Sequence, residues 1–450
     1  MKRFITTIQN IWKIEELRDR ILFTLFILMV YRFGCFVVLP GVNPEVLAQA
    51  TSSNTGDLFG LINAFTGGAF NNAAVFALGI MPYITASIII QLAGFAVPYF
   101  QRLQQREGES GRKKITQITR LLTVAITLVQ GGGYLTWVKS QGAVDPGISD
   151  TIFWICNVIV LSTGTILAMW LGEKITDKGI GNGISLLIMI GIIATLPGAL
   201  VFEISSHFGL LIIVELAALF MVVLATVMIV QAVRRIPIQF AKRMVGRGAS
   251  AMPVAGNRDY IPIKVNASGV MPIIFAQALM FLPASVIQFA SSDSAITTSS
   301  WFMALNDFTS PLYNVIYFVL VVVFTYIYTA LLVNPQQYSE YLKRQNAFIP
   351  GIKPGTQTAE FIDSVTTRIT LPGSIFLGLI AILPAFAAAL GINISFAMFF
   401  GGTSLLILVA VVLDTLQQIE SYLLMRKYDG LVKSGRLKAR GGIQGIGASM

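Results

Sequence analysis

Histidine occurs once in this 450-residue chain and cysteine twice, while Asp, Glu, Lys and Arg together make up only 12% of it. With His207 as the single histidine there is no HExxH zinc motif. No GxSxG elbow stands on an apolar run, and no G-x-x-x-x-G-K-[ST] loop is present to cradle a nucleotide. The chain therefore does not read as an enzyme, and no cofactor or metal is implied. Cys35 and Cys156 both lie in apolar runs as small packed residues, so neither a disulfide nor a metal site is expected. Also missing is a short apolar segment followed by a small-residue cleavage site. Lys2, Arg3, Lys13, Arg18 and Arg20 instead punctuate amphipathic positions, and residues 1–20 read as an interfacial helix that is retained.

What is abundant is apolar: 55% of the residues are hydrophobic, too many for a soluble protein of this size. A membrane span needs about 20 apolar residues in line to cross roughly 30 Å of hydrocarbon. Such runs occur near residues 21–40, 72–97, 118–138, 151–171, 180–200, 208–233, 267–291, 312–333, 368–390 and 398–419. Ten spans place both termini on one side. If that side is the cytoplasm, 30 of the 32 Lys and Arg residues face it, with only Lys139 outside and only Arg32 within a span. Shifting the topology by one span would invert this bias, so the basic side is the inner side. Two inner segments, 234–266 and 334–368, are longer than a hairpin needs, which points to an external partner such as acidic protein or RNA. The tail 420–450 is likewise basic.

Two stretches depart from ordinary membrane helices. Residues 53–71 are too polar and too short to span. Yet Leu58, Phe59, Ile62 and Phe65 give an apolar face over about two turns, and Gly67-Gly68 supplies a hinge. A short helix folded back into the membrane fits, provided that protein or a water-filled cavity surrounds it. The second stretch, Gly79–Gln91, combines Pro82, the hydroxyls of Thr85 and Ser87, and five isoleucines. Pro82 within an apolar run permits a helix to bend at modest cost without requiring it, because the hydroxyls can satisfy freed carbonyls. Its opening, GIMPYI, is echoed by GVMPII at Gly269–Ile274, including Pro272. Five spans before about residue 200 and five after (21–200 and 201–419) suggest two halves of inverted topology with the working pathway between them.

Longer motifs carry a resemblance. FALGIMPYITASIIIQL from Phe76, EGESGRKKITQITR from Glu107, MWLGEKITDKGIGNGIS from Met169 and KVNASGVMP from Lys264 resemble the SecY/Sec61-alpha family. So do YTALLVNPQQ from Tyr328, AFIPGIKPGTQTAEFID from Ala347 and FGGTSLLI from Phe400. The resemblance implies an all-α polytopic membrane protein of ten transmembrane helices in two inverted halves around a central pore, with a short re-entrant plug helix. It implies a protein-conducting channel in the bacterial cytoplasmic membrane, which passes unfolded preproteins and releases hydrophobic segments sideways into lipid. Positions matching the family's pore ring are Ile80, Ile84, Ile184, Ile188, Ile274 and Ile407. An apolar ring offers nothing to hydrate an ion and can close round a passing chain as a gasket. Ile184 stands out, because Gly181, Asn182 and Gly183 make its surroundings polar and flexible for a buried helix start.

The same resemblance places the plug at 57–70, with Asp57, Leu58, Phe59, Ile62, Phe65, Gly67 and Gly68. The second and seventh spans would form a lateral gate bearing Pro82, Thr85, Ser87, Gln91 and Pro272. Lys242, Arg243 and Arg247 at the tip of one long loop, and Lys353 at the tip of the other, match positions that receive a ribosome or the SecA motor. SecE and SecG are the implied membrane subunits. The chain departs from the family pattern at Lys353, commonly arginine, which loses the planar fork suited to bidentate contacts. Gly248 likewise breaks an adjacent basic pair.

The main alternative is a secondary transporter, which also uses inverted halves and interrupted helices. Its site needs converging ionisable groups at the midplane. Arg32, Glu215 and Asp414, the ionisable residues counted within spans, are scattered over three of them. Arg32 has no evident partner, and an arginine inside a span costs roughly 2.5–3.5 kcal/mol on insertion scales.

Overall fold

The computed structural model describes residues 12, 14–47, 63, 65–105, 108–206, 209–240, 243–245, 252–254, 258–289, 304–305, 307 and 309–433. Ten helices stand where ten apolar runs were expected. They are α1 (Glu15–Gly34), α2 (Met81–Ala96), α4 (Gly108–Ser140), α5 (Asp150–Lys178) and α6 (Gly183–Ser206) in the first half. The second half holds α7 (Leu210–Gln231), α8 (Met271–Phe289), α9 (Pro311–Leu332), α11 (Thr356–Ala389) and α13 (Gly402–Lys433). Short helices α3 (Pro98–Gln105), α10 (Pro335–Arg344) and α12 (Ile394–Ala397) lie between them. Seven of the ten are long and apolar enough to cross a membrane, and the apolar parts of α2 and α8 are shorter. The outward faces are apolar too: on α7, Ile213, Phe220 and Met221 are each more than 60% exposed, which suits lipid rather than water. Because each half holds an odd number of spans, the second half enters the membrane inverted with respect to the first.

Each half begins its second span in the same way. Gly79 and Gly269 adopt positive φ of 54° and 64°, a conformation that suits glycine, and turn the chain into α2 and α8. Met81 and Met271 open the helices, and Pro82 and Pro272 occupy the second position. There a missing N–H costs nothing, since the first-turn donors of a helix have no partner within it. Pro82, which could have bent a helix, instead sits in the first turn of one. Residues 67–80 precede it as a run of turns rather than as helix, so the second span is shorter than the apolar run. The echo reflects a shared way of beginning a helix, with Ile84 N–H donating to Ile80 C=O at 3.0 Å and Ile274 N–H to Val270 C=O at 3.3 Å.

The long segment 234–266 is no simple loop. Within it β1 (Val233–Phe240) pairs antiparallel with β4 (Arg258–Lys264), from Val233 opposite Lys264 to Gln239 opposite Arg258, and with β5 (Ala347–Phe348) on its other edge. Short strands β2 (Arg243–Val245) and β3 (Met252–Val254) form a separate hairpin. Alternation in β1 buries Ile236 and Ile238 against Ile263, Leu342, Ala347, Ile349 and Ile362. The two long segments thus share one small core, built from β1, β4, β5, α10 and the start of α11, and form one platform at the end of the helical bundle.

Candidate functional site

All six isoleucines singled out in the sequence belong to one apolar core. Ile80 immediately precedes α2 and Ile84 lies in its first turn; Ile184 and Ile188 lie in the first two turns of α6; Ile274 lies in the first turn of α8 and Ile407 in α13. Ile80, Ile188 and Ile407 are buried, and Ile84, Ile184 and Ile274 pack half-buried against them. Four of the six, Ile84, Ile188, Ile274 and Ile407, surround a cavity of about 20 Å³, together with Phe65, Met81 and Ala278. That is room for about one water. Only the hydroxyl of Thr85 and the amide of Gln277 add polar groups to this lining. The helices of both halves therefore meet in a nearly closed apolar constriction at the depth where α2, α6 and α8 begin.

Ile80 and Ile184 stand outside that cavity lining. The polar surroundings of Ile184 have a packing cause. Asn182 Oδ1 accepts the N–H of Ile184 at 3.2 Å, satisfying a first-turn donor of α6. A Cβ on Gly183 would come within 1.9 Å of the Gly172 carbonyl oxygen, so this glycine is what lets α5 and α6 touch. Val270, which the echo sets opposite Ile80, is a contact the sequence reading passed over; it packs against the central core and against the second core formed around α8, α9 and α11. Gln277, 4% exposed, was also passed over.

Of the expected plug residues, Asp57, Leu58, Phe59 and Ile62 lie outside the described residues, whereas Phe65, Gly67 and Gly68 are described. Phe65 is buried in the same core as the isoleucines. It also lines a second cavity, of about 40 Å³, with Tyr313, Tyr317 and Ser404. Its segment presses on α6: a Cβ on Gly191 would stand 2.4 Å from the Phe65 carbonyl oxygen. Thr66 Oγ1 accepts the N–H of Phe70 at 3.2 Å, and the Tyr134 hydroxyl donates to the Phe70 carbonyl at 2.7 Å. Arg32 proves to have a partner, since its Nη1 donates to the Gly67 carbonyl at 2.9 Å.

Among the expected gate residues, Thr85 donates to the Met81 carbonyl at 3.0 Å and Ser87 accepts from Gln91 Nε2 at 3.0 Å, both within α2. Gln91 Oε1 also accepts a short hydrogen bond from the hydroxyl of Tyr328 on α9, so this pair links the two halves. Two further bonds join the halves elsewhere. Gly181 N–H donates to Gln418 Oε1 at 2.8 Å, and Asn393 Nδ2 donates to Ser206 Oγ at 3.0 Å.

Lys242 and Arg247 lie outside the described residues, and Arg243 opens strand β2. Lys353 is exposed in a turn pinned from two sides, by Thr358 Oγ1 donating to its carbonyl at 2.9 Å and Ser339 Oγ donating to the Gly355 carbonyl at 2.6 Å. Arg234, Arg235 and Arg258 are exposed on the same platform, with Arg235 4.8 Å over the Tyr260 ring. The sequence count included these arginines without placing them on one sheet, where Arg234 and Arg235 in β1 run alongside β4, which Arg258 opens.

Among the described residues no three His, Cys, Asp or Glu side chains come together as metal ligands would. Glu203, not counted among intramembrane ionisable residues in the sequence, is 2% exposed on α6.

A small apolar cavity where helices of two inverted halves meet, paired spans that both open at a glycine and a proline, and a basic β platform suit a multi-pass membrane channel. The SecY family model matches residues 74–416. The protein translocase subunit SecY of Streptomyces coelicolor is 44% identical, over 95% of this chain and all of its own length. That of Chlamydia muridarum is 38% identical, over 97% of this chain and all of its own. The fold is similar to a solved protein-conducting channel, with a TM-score of 0.61 at 18% identity, covering 94% of this chain and 95% of that one. It is also similar to Sec61 in a canine ribosome-channel complex, with a TM-score of 0.56 at 18% identity, covering 94% and 95%. The chain belongs to the SecY family of protein-translocation channels, and it is not an enzyme.

Proposed function

We propose that this chain conducts unfolded preproteins through the gap between its halves, using the isoleucine constriction as the seal and the α2–α8 seam as a side exit to lipid. The observation that carries this reading is the convergence of Ile84, Ile188, Ile274 and Ile407, from four different helices, on a cavity of about 20 Å³ with Phe65 set against it. An apolar constriction this narrow excludes hydrated ions at rest. It also has no fixed hydrogen-bonding geometry that would select one passing side chain over another. Ile80 and Ile184 extend the ring, and Phe65, from the expected plug segment, sets its side chain against it.

Pro82, Pro272, Thr85, Ser87 and Gln91 line the seam. A segment apolar enough to prefer lipid leaves there, driven by a few tenths of a kcal/mol per Leu or Ile, summed over about twenty residues. A polar segment stays in the passage and crosses.

The bias of 30 of 32 basic residues to one side supports a bacterial cytoplasmic membrane location with both termini inside. It places the platform in the cytoplasm. Lys353, with Lys242, Arg243 and Arg247, then receives the SecA motor or the ribosome, and SecE and SecG are the membrane subunits. With no nucleotide-binding loop in this chain, the energy comes from a partner or the membrane potential.

The test is crosslinking. Cys35 and Cys156 are first replaced, and single cysteines are placed at Ile84, Ile274 and Ile407. A half-translocated preprotein with a probe at its middle should crosslink to each. Failure to reach any of the three would sink the pore assignment.

A further inference from the structure

Arg32 is the basic residue held within the first apolar run, in the last turn of α1. Its Nη1 donates to the backbone carbonyl of Gly67 at 2.9 Å, across 35 positions of chain. Gly67 sits at φ +64°, and a Cβ there would stand 2.4 Å from that same Arg32 nitrogen and 2.8 Å from the Cα of Gly191 on α6. Gly191 in turn lies so close that its own Cβ would meet the Phe65 carbonyl oxygen at 2.4 Å. The Phe65–Gly67 backbone is thus clamped between a guanidinium on α1 and a glycine face on α6, with space for hydrogens only.

We infer that Arg32 is the latch of the resting seal, a positioning residue that holds the Gly67 carbonyl so that Phe65 stays in the isoleucine constriction. The inference rests on the constriction and plug reading above. The energetic logic is asymmetric. When the segment moves out, the Gly67 carbonyl can be hydrated in the widened passage. Arg32, half-buried on α1, loses that acceptor, with the ring of Phe36 at 5.4 Å as a weaker substitute. A charged donor left short of an acceptor penalises the open state, which biases the equilibrium toward closure. The competing role for Arg32 is local: a cation in the last turn of α1 complements that helix's carbonyl end whether or not the segment is there.

The two roles separate by resting conductance, measured on the full chain with its native membrane subunits in a planar bilayer. Parent, Arg32→Met, Gly67→Ala and the double variant are compared, and parent and Arg32→Met are measured again in a chain lacking residues 57–70. Loss of one charge-assisted bond should raise the resting open fraction roughly ten- to hundredfold. Gly67→Ala, which breaks the contact from the segment side, should do the same, and the double variant should leak no more than the leakier single. Arg32→Met should have no effect in the shortened chain.

An unchanged leak in membrane-inserted Arg32→Met overturns the latch, and so does an equal rise in both backgrounds, which would place its effect in the wall. Should Arg32→Met fail to accumulate, Gly67→Ala decides alone, and an unchanged leak there overturns the latch. If the shortened chain itself leaks no more than the parent, the plug reading fails, a result distinct from failure of the latch alone.

Discussion

Placing asparagine at both Ile84 and Ile274 should open the resting channel, and the structure sets the size of the effect. Both side chains face the cavity of about 20 Å³ and both are only half-buried, packed against the core rather than inside it. An amide there has only the Thr85 hydroxyl, already donating within α2, and the Gln277 amide near it in the closed constriction. Short of a full set of partners it costs about 1–3 kcal/mol by protein mutational data, but it is hydrated once the passage fills with water. One asparagine therefore moves the closed–open equilibrium by roughly one to two powers of ten, and two together by about 2–6 kcal/mol. Going from 1% to 99% open takes about 5.5 kcal/mol, so the double variant approaches that inversion while either single falls short of it. The assays are ion conductance of the reconstituted channel and export of a reporter whose signal sequence is defective. Ile273→Asn is the control, because Ile273 is 0% exposed and packs in the second core, away from the cavity. That change should lower accumulation without opening the channel. Unchanged conductance and unchanged signal stringency in a double variant that accumulates normally would refute the gasket reasoning. So would a leak from Ile273→Asn equal to that of the double variant.

Tyr328→Phe and Gln91→Leu should each remove the same inter-half hydrogen bond, worth about 1 kcal/mol, and so let marginally apolar segments enter lipid roughly fivefold more readily. The double variant should add nothing beyond the larger single, which a membrane-insertion assay on a graded series of segments would show. Lys353→Glu should slow motor-driven translocation, most strongly at low salt, and leave resting conductance unchanged, because the residue is exposed in a turn remote from the constriction. Gly183→Ala should cost about 1–3 kcal/mol or more through the 1.9 Å approach to the Gly172 carbonyl, read as reduced accumulation and a lower melting temperature in detergent.

Local pattern accounts for part of this molecule. The ten apolar runs became the ten long helices because a segment of that hydrophobicity must satisfy its backbone internally in lipid, and a helix does so without help from distant residues. The bias of Lys and Arg is a property of the linear chain and needs no structure to be counted. The isoleucine set was picked out through motif resemblance rather than periodicity, since most apolar faces in this chain serve packing.

The misreadings share a cause. A proline in an apolar run looks the same whether it sits in the middle of a helix or in its first turn, and only the positive φ of Gly79, with α2 opening at Met81, shows that Pro82 belongs to a beginning. The segment 234–266 looked like a loop because the residues that bury Ile236 and Ile238 come from Leu342 to Ile362, about a hundred positions away. Arg32 looked stranded because its acceptor is a backbone carbonyl, and the identity of Gly67 says nothing about where that carbonyl points. Composition, local order and the family motifs together point to a chain that spans a membrane ten times in two halves. The closure of the passage, the clasp between Gln91 and Tyr328 and the grip of Arg32 on Gly67 arise only when distant segments pack, because each depends on ångström distances that no stretch of sequence encodes alone.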